Sequence, residues 1–287
     1  MTSREFKSVK DALLWAASYL QKKGVENSRL EAEVLFSKVL EVDRGKLLAS
    51  LKDPLGEEQL ERFKFFVAER IRGYPLQYIT HEQEFMSLNF YVEEGVFIPR
   101  GDTEVLVEAV MSLEKKFEKI LDVGTGSGII AVTLAKIFPE SRITALDVSE
   151  KALENASLNA EKHGVRDRII FIKGDIFFWQ PKEFFDLVVS NPPYIPSGDI
   201  LKLQKEISFE PIKALDGGPD GLKFYYRLAE LCSACLHPGG VLAVEIGWNQ
   251  AREVRKIFYD AGIFENEIKV LKDYGGRDRV VICRRKL

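Results

Sequence analysis

The chain has 287 residues, of which 46% are hydrophobic, and this size and composition predict a globular protein with two domains. Its 41 Lys and Arg residues and 44 Asp and Glu residues leave a net charge of −3, which disfavours a large nucleic-acid-binding surface because such surfaces are basic. No apolar run approaches the roughly 20 residues of a membrane span, the first residues show no apolar signal region, and 3 cysteines cannot pair evenly, so we expect a reduced, cytoplasmic setting.

Residues 1–75 predict an N-terminal helical bundle, which we assign as a domain that docks the substrate or a partner. Apolar residues recur at helical spacing in stretches that begin at Val9, Ser28, Asp43 and Glu57. The sequence from Ser28 to Glu31 has the pattern of a capping box, in which two side chains close the first turn of a helix.

Residues 76–98 change in character and predict a β-hairpin that links the two domains. Two short strands, Gln83–Phe85 and Asn89–Val92, are separated by a tight turn. The next stretch, Phe97–Glu104, leads into a helix for which Asp102 or Thr103 is the predicted N-cap. Residues 99–287 make up the predicted C-terminal domain.

From Lys119 onward the pattern alternates between strands and helices, which predicts an α/β fold with a doubly wound, mostly parallel sheet. The predicted strands are Ile120–Val123, Arg142–Leu146, Arg168–Ile172, Phe185–Val189, Val241–Ile246, Ile268–Leu271 and Arg279–Cys283. The predicted helices are Ile129–Phe138, Ala152–His163, Leu222–Leu236 and Arg252–Ala261. Such sheets bind ligands beyond the carboxyl ends of their strands.

A glycine-rich turn, Asp122-Val-Gly-Thr-Gly-Ser-Gly128, follows the first of these strands and opens a helix. Glycines let the backbone bend tightly and let a ligand approach closely. The turn is not the dinucleotide fingerprint, because Ile129 stands where the third glycine of G-x-G-x-x-G belongs, and it lacks the G-K-[ST] of a P-loop. The residues that we predict to bind a cofactor here are Gly124, Thr125, Gly126, Ser127 and Gly128.

Two further strand ends carry residues suited to a nucleoside. Asp147 ends the second strand and is suited to accept hydrogen bonds from ribose hydroxyls. Asp175 and Ile176 follow the third strand, where a carboxylate would meet the exocyclic amine of an adenine and an apolar side chain would meet its ring. Tight turns with N-capping aspartates would explain any one of these elements, but not the series.

The stretch Ser190–Pro196, reading Ser-Asn-Pro-Pro-Tyr-Ile-Pro, follows the fourth strand and predicts a catalytic corner. Prolines fix the backbone and remove N–H donors, so the segment is stiff and rich in acceptors. The Asn191 side-chain oxygen and the Pro192 carbonyl would each accept one hydrogen of a planar –NH2 group, and Tyr194 would lie against its flat face. The alternative is a Pro-rich loop that merely closes the strand.

Taken together, the glycine-rich turn, Asp147, Asp175 and the Asn-Pro-Pro-Tyr stretch resemble a class I S-adenosylmethionine-dependent methyltransferase. The narrower resemblance, over nearly the whole chain, is to the release-factor glutamine methyltransferases, the HemK/PrmC family. The stretches that carry it are Gly73–Ile79, Phe97–Glu104, Asp122–Gly128, Ser190–Pro196, Phe209–Pro211, Ala214–Leu222, Gly239–Gly240 and Glu245–Gly247. The chain departs from the family at Gly101, where proline is usual, and this loosens the turn beside Arg100.

The resemblance implies a Rossmann-like seven-stranded sheet preceded by a helical domain and a hairpin linker. It also implies methyl transfer from S-adenosylmethionine to the side-chain nitrogen (N5) of the glutamine in the Gly-Gly-Gln loop of bacterial translation release factors. The catalytic residues would be Asn191, Pro192 and Tyr194, with Asn191 also touching the cofactor. The residues in contact with the substrate would be Asn191, Pro192, Pro193, Tyr194 and Arg100.

Two other classes of function stay open from the residues alone. An adenine-N6 or guanine-N2 nucleic-acid methyltransferase shares the Asn-Pro-Pro-Tyr chemistry, but the acidic charge balance and the lack of a basic recognition domain argue against it. A non-catalytic adaptor would use the helical bundle for docking, but intact Asn191 and Tyr194 argue against this. Cys232 and Cys235 lie inside an apolar helical run, which predicts core packing and no metal site.

Overall fold

The computed structural model of the protein describes Phe6 and residues 8–287, and the chain falls into two units. The first unit comprises the described residues up to His81 together with Lys205–Phe209, and the second comprises Glu82–Gln204 and Glu210–Leu287. Among the described residues, no helix has both the length and the apolar character that crossing a bilayer demands.

The first unit is a helical bundle, as the apolar spacing predicted. Its helices are α1 (Val9–Lys22), α2 (Ser28–Leu40), α3 (Arg44–Ala49), α4 (Glu57–Ile71) and α5 (Leu76–Thr80). Phe36 of α2 and Phe63 of α4 are fully buried at the centre of its core and stack with their ring centroids 4.1 Å apart. The sequence did not reveal α5, because a helix of 5 residues is too short to show a helical period.

The predicted capping box at the start of α2 is wrong. Asn27 precedes the helix in a left-handed conformation (φ 53°), and it forms no side-chain capping bond. Glu31 instead accepts hydrogen bonds from Arg70 of α4, at 2.5 Å from Nε and 3.1 Å from Nη2. Because Arg70 is buried, pairing its charge matters more than one capping bond. Arg70 also binds Glu206 at 2.6 Å, a contact that joins Lys205–Phe209 to this unit.

The second unit begins with the predicted hairpin, formed by the antiparallel strands β1 (Glu82–Phe85) and β2 (Leu88–Tyr91). Asn159, which is fully buried, connects the hairpin to the glycine-rich turn. Its Oδ1 accepts the Tyr91 N–H at 2.7 Å, and its Nδ2 donates to the carbonyls of Tyr91 and Ser127, each at 2.8 Å. One buried amide therefore satisfies backbone groups of both segments.

The seven-stranded sheet of the second unit confirms the predicted fold class. Its strands are β3 (Lys119–Val123), β4 (Arg142–Asp147), β5 (Ile169–Lys173), β6 (Phe185–Ser190), β7 (Leu236–Glu245), β8 (Lys269–Lys272) and β9 (Asp278–Arg284). They lie in the order β5-β4-β3-β6-β7-β9-β8, and the sheet is parallel except for β9, which runs antiparallel to both of its neighbours. β7 begins five residues before the predicted start because Leu236 pairs with Phe185 across an irregular register.

Helices cover both faces of the sheet and divide its residues between two cores. The helices are α6 (Glu104–Met111), α7 (Ile129–Ile137), α8 (Glu150–Lys162), α9 (Lys223–Cys235) and α10 (Ala251–Asp260). Alternate residues of a strand point to opposite faces, so Ile120 packs with α6 and α7 whereas Leu121 packs with α9 and α10. Both faces are buried, which explains the continuous apolar runs in the sequence.

The site is positioned by the reversal of strand order between β3 and β6. The chain winds from β3 towards β5 on one side and from β6 towards β7 on the other. Val123 at the end of β3 pairs with Ser190 at the end of β6, and the Ser190 hydroxyl donates to the Val123 carbonyl at 2.7 Å. The glycine-rich turn and the Asn-Pro-Pro-Tyr stretch therefore leave the sheet side by side, at the place where α/β sheets bind ligands.

Candidate active site

The glycine-rich turn is held to the neighbouring strand by its own backbone. The N–H groups of Gly124 and Thr125 both donate to the Leu146 carbonyl at the end of β4, at 2.8 and 3.1 Å. Gly124, Gly126 and Gly128 all have positive φ (74°, 56° and 81°), a conformation that only glycine adopts at little cost. The local sequence therefore determines the shape of this turn.

Gly126 and Gly128 serve different purposes. A Cβ added at Gly126 would meet open space, and the Gly126 N–H donates to Asp147 Oδ2 at 2.8 Å. A Cβ at Gly128 would lie 2.7 Å from the Cβ of Ala156, so this glycine allows α7 and α8 to pack closely. Of these two glycines, Gly126 borders the open side of the turn and Gly128 faces a helix.

Two carboxylates lie beneath the turn. Asp147 is half-buried at the end of β4, and burial raises its pKa although the N–H groups of Ser149 and Gly126 bond its oxygens. Asp122 is fully buried, and desolvation raises its pKa to about 7 against the opposing hydrogen bond from the Thr125 hydroxyl at 2.7 Å. Asp147 therefore presents the more accessible acceptor at the edge of the turn.

The turn also contains a buried hydroxyl group that forms no hydrogen bond with the described protein atoms. The Ser127 hydroxyl is buried and has no hydrogen-bond partner among the described residues. Buried hydroxyls normally have a partner, so a polar ligand seated against the turn would explain this one. Open space beside Gly126, the Asp147 carboxylate and the unpaired Ser127 hydroxyl together suit a nucleoside with free hydroxyls.

Asp175 and Ile176 lie where β5 ends, one strand farther out. Asp175 Oδ1 accepts the Phe177 N–H at 2.9 Å, so this carboxylate closes a local turn. Ile176 is 6% exposed and packs in the core with Phe185 and Tyr225. The structure thus brings both residues to the same edge of the sheet as Asp147, with most of the Ile176 side chain directed inward.

A chain of hydrogen bonds leads from Asn191 into the protein. Asn191 Nδ2 donates to the Thr103 hydroxyl at 3.1 Å, and this hydroxyl donates to Glu245 Oε2 at 2.7 Å. The Tyr194 hydroxyl donates to the other oxygen of Glu245 at 3.3 Å. Thr103 and Glu245 are each 1% exposed, whereas Asn191 and Tyr194 are half-buried. The two polar side chains of the Asn-Pro-Pro-Tyr stretch therefore share one buried carboxylate.

The same stretch presents two acceptors that stay unpaired. Among the described residues, no group donates a hydrogen bond to Asn191 Oδ1 or to the Pro192 carbonyl. Pro192 is buried and Pro193 is half-buried, and neither has an N–H to compete for these acceptors. Both oxygens are therefore free to accept hydrogen bonds from a ligand, and their role in holding a substrate stays a prediction.

The backbone of the stretch is supported by the loop before α9. The Ile195 N–H donates to the Leu215 carbonyl at 3.0 Å, and the Gly217 N–H donates to the Ile195 carbonyl at 2.8 Å. A Cβ at Gly221 would lie 2.3 Å from the Tyr194 carbonyl, and Gln250 Nε2 donates to this carbonyl at 3.0 Å. The glycines of the loop are therefore needed for close contact with Tyr194.

Arg100 is engaged within the protein. Its guanidinium pairs with the buried Glu210, donates to the Ile98 carbonyl at 2.9 Å and lies 5.2 Å from the Phe97 ring centroid. Glu210 also accepts the Ile98 N–H at 3.1 Å. No hydrogen bond joins Arg100 to Asn191 or Tyr194 among the described residues, but its positive charge acts on Tyr194 and opposes the rise that burial causes in the pKa of that hydroxyl.

Several residues of this site were missed by reasoning on the sequence. They are Thr103 as a hydrogen-bonding group, Glu210, Gly217, Gly221, Glu245 and Gln250. All except Gln250 lie in stretches that carry the family resemblance, and this was the available signal. Thr103 was predicted at the right position as an N-cap, but its hydroxyl bonds Glu245 and does not cap α6.

Cys232, Cys235 and Cys283 lie in the core of the second unit. All three are free and buried, and burial raises their pKa values, to about 12 for Cys235. The packing prediction for Cys232 and Cys235 is therefore confirmed. Over the part of the chain that the structure describes, no three His, Cys, Asp or Glu side chains form a cluster able to hold a metal ion.

Comparisons with known proteins identify both parts of the chain. A family model described as the PrmC N-terminal domain matches residues 11–80, and one described as the methyltransferase small domain matches residues 87–215. A methyltransferase from Pyrococcus furiosus shares the fold, with a TM-score of 0.52 at 20% identity over 70% of this chain and 91% of that one.

The relatives by sequence are more specific. The release factor glutamine methyltransferase of Moorella thermoacetica is 43% identical over 97% of this chain and 99% of that protein. Those of Geobacter sulfurreducens and Bacillus subtilis are 42% and 41% identical over 96% of this chain and 96% and 97% of theirs. The chain therefore belongs to the release factor glutamine methyltransferase family, whose members are methyltransferase enzymes.

Proposed function

We propose that the protein transfers a methyl group from S-adenosylmethionine to the side-chain nitrogen (N5) of the glutamine in the Gly-Gly-Gln motif of bacterial release factors. Relatives with about 40% identity are named release factor glutamine methyltransferase, which supports the class of substrate and the transferred group. The observation that carries the proposal is the pair of unpaired acceptors, Asn191 Oδ1 and the Pro192 carbonyl, beside the glycine-rich turn.

A carboxamide nitrogen is a poor nucleophile because its lone pair is delocalised into the carbonyl group. Positioning and charge stabilisation are the levers that remain for the protein. The two acceptors would hold the two amide hydrogens, while the half-buried Tyr194 ring would pack on the amide plane. Positive charge that develops on nitrogen would be stabilised by the same two oxygens, and no base is needed before attack because the proton can leave afterwards.

The residues present fit the proposed cofactor. Asp147 would accept ribose hydroxyls, the turn Gly124–Gly128 would border the amino-acid portion, and Asp175 with Ile176 would border the adenine. When bound, S-adenosylmethionine would supply a methyl group activated by the positive sulfonium. Asn191 lies at the end of β6 next to this turn and would touch both the cofactor and the substrate amide.

The division of labour along the chain is also a proposal. Residues 1–75 would dock the substrate protein, residues 76–98 would link the domains, and residues 99–287 would bind the cofactor and hold the reacting groups. We place the protein in the cytoplasm, where release factors act and thiols such as Cys232 stay reduced.

Mass spectrometry of a release factor after incubation with the enzyme and S-adenosylmethionine tests the proposal. We expect a gain of one methyl group on the glutamine of the Gly-Gly-Gln peptide, and none when that glutamine is replaced. Parallel incubations with stripped RNA and DNA serve as the comparison. Methylation of nucleic acid with an unmodified release factor would overturn the proposal.

A further inference from the structure

We propose that Thr103 and Glu245 are positioning residues that determine which atom of the Asn191 amide faces the substrate. The inference rests on the proposed function, because it concerns the orientation of the acceptor that would hold the glutamine. An asparagine side chain can rotate by half a turn and exchange its oxygen for its nitrogen with little change in shape. An acceptor site built on Asn191 therefore requires a device that selects one of the two orientations.

The chain of hydrogen bonds from Asn191 provides this selection. Glu245, as a carboxylate, can only accept, so the Thr103 hydroxyl must donate to it across the 2.7 Å contact. The hydroxyl has a single hydrogen, and towards Asn191 it presents only a lone pair. The group of Asn191 that lies 3.1 Å away must then be the Nδ2 donor, which leaves Oδ1 on the opposite side.

The same carboxylate also fixes the position of the Tyr194 hydroxyl. Glu245 Oε1 accepts from the Tyr194 hydroxyl at 3.3 Å, so the two side chains proposed to hold and cover the amide are bonded to one group. Glu245 is 1% exposed, and burying a carboxylate is costly unless donors surround it. Such a buried acceptor is expected where a fixed direction of donation is needed.

An ion pair of the neighbouring residue fixes the position of Thr103. Its neighbour Asp102 forms an ion pair with Arg279 of β9 at 3.0 Å, and Arg279 also pairs with Asp273 at 3.1 Å. Thr103 ends the short 3₁₀ turn that begins at Gly101, and its hydroxyl forms no capping bond to α6. The turn is thus anchored by Arg279 while the Thr103 hydroxyl stays available for Glu245 and Asn191.

This arrangement predicts a pH dependence. The pKa of Glu245 is raised to about 7, because burial and, to a smaller extent, the charge of Asp102 raise it more than Thr103, Arg279 and Tyr194 lower it. Tyr225 of α9 also faces this residue, with its hydroxyl 3.1 Å from the Glu245 carbonyl. Protonated Glu245 can donate, which removes the fixed direction, so kcat should rise as the pH increases through about 7.

The kinetic test compares Thr103→Val, which removes the hydroxyl, with Thr103→Ser, which keeps it. We expect kcat to fall roughly 10- to 100-fold in the valine variant and to stay within about threefold in the serine variant. The KM for S-adenosylmethionine should stay within about threefold in both, because the glycine-rich turn is untouched. Equal losses in the two variants, or a normal kcat in Thr103→Val, would overturn the inference.

The pH profile separates positioning from a merely structural role. Loss of the Thr103 hydrogen bond should move the rising limb of kcat to higher pH in Thr103→Val and leave it in place in Thr103→Ser. Glu245→Gln should lower kcat and abolish the limb, since its amide does not titrate. Unshifted profiles in correctly folded variants, checked by thermal melting, would contradict the proposed relay.

A measurement without substrate keeps the two proposals distinguishable. The side-chain NH2 signal of Asn191, assigned by its loss in Asn191→Ala, should exchange faster with solvent in Thr103→Val than in the wild type and Thr103→Ser. Unchanged exchange in Thr103→Val would refute positioning whatever the substrate is. Slower exchange in the wild type, together with no methylation of any release factor, would refute the proposed function alone.

Discussion

The two halves of the candidate active site lie side by side but are held in different ways. The glycine-rich turn is fixed by its own backbone, and its side-chain anchor, Asp147, stands 21 residues from Gly126. The corner Asn191–Tyr194 depends on Thr103, which is 88 residues away, and on Glu245, which is 51 residues from Tyr194. A cofactor site can thus be local in sequence, while the substrate site beside it is assembled from distant elements.

This difference has a physical reason. The turn needs a backbone shape that accepts a ligand, and glycines in sequence provide such a shape. The corner needs acceptors that point in one direction, and a direction is set by donors and acceptors on other elements. Changes to the two halves should therefore affect different steps of the reaction.

The largest effect is expected from Asn191→Ala, which removes the side-chain acceptor and spares the turn. Loss of one preorganised hydrogen-bonding partner costs roughly 100- to 1,000-fold in kcat. Binding of S-adenosylmethionine, measured by calorimetry, should weaken but persist. The control is Asn266→Ala at an exposed position, which should be neutral. A kcat within a few-fold of the wild type would remove Asn191 from the catalytic role.

Gly221→Ala tests the support behind the corner. Its φ is 76° and its new Cβ would lie 2.3 Å from the Tyr194 carbonyl, so we expect a loss of about 2–4 kcal/mol in stability or a displaced corner with low kcat.

Gly262→Ala is the matched control for Gly221→Ala, with φ of 73° and no atom within 4 Å of the new Cβ. It should cost only about 1 kcal/mol and leave kcat unchanged. Chemical denaturation and steady-state kinetics give both quantities. Equal effects at the two positions would mean that contact with Tyr194 is unimportant.

Asp147→Ala should weaken cofactor binding at the glycine-rich turn and leave the corner Asn191–Tyr194 unchanged. Hydrogen bonds to a charged group contribute about 1.5–3 kcal/mol, which corresponds to roughly 10- to 100-fold weaker binding of S-adenosylmethionine. kcat at saturating cofactor should change little. Asp147→Asn keeps one acceptor oxygen, so its affinity for S-adenosylmethionine should lie between those of the wild type and Asp147→Ala. Calorimetry that shows unchanged affinity for Asp147→Ala would exclude the ribose role.

The smallest effect is expected from Gly101→Pro, which stiffens the turn that presents Thr103. Arg100 has φ −100° and ψ 151°, which suits a residue before proline, and a Cβ at Gly101 meets no atom within 4 Å. Proline is also favoured at the first position of a helical turn. We expect a gain of about 0.4–1 kcal/mol in unfolding free energy, and destabilisation would show that the glycine is needed.

Much of the fold followed from the sequence by itself. Strand and helix periods predicted the doubly wound sheet, because apolar runs and helical spacing are local consequences of burial. The predicted strand Arg142–Leu146 and the observed β4 differ by one residue, and each end of the two hairpin strands lies within one residue of its predicted position. The glycine-rich turn and the Asn-Pro-Pro-Tyr corner could also be recognised in the sequence, since each is a contiguous stretch whose glycines or prolines determine the local backbone conformation.

The hydrogen-bond and ion-pair partners of the polar side chains could be identified only in the folded protein. Glu31 binds Arg70 and does not cap its own helix, Arg100 pairs with Glu210, and Thr103 links Asn191 to Glu245. These choices depend on which side chains the order of the strands and the packing of the helices bring within about 3 Å, the range of a hydrogen bond. No local pattern encodes that distance, because the partners are separated by tens of residues and meet only when the chain has folded.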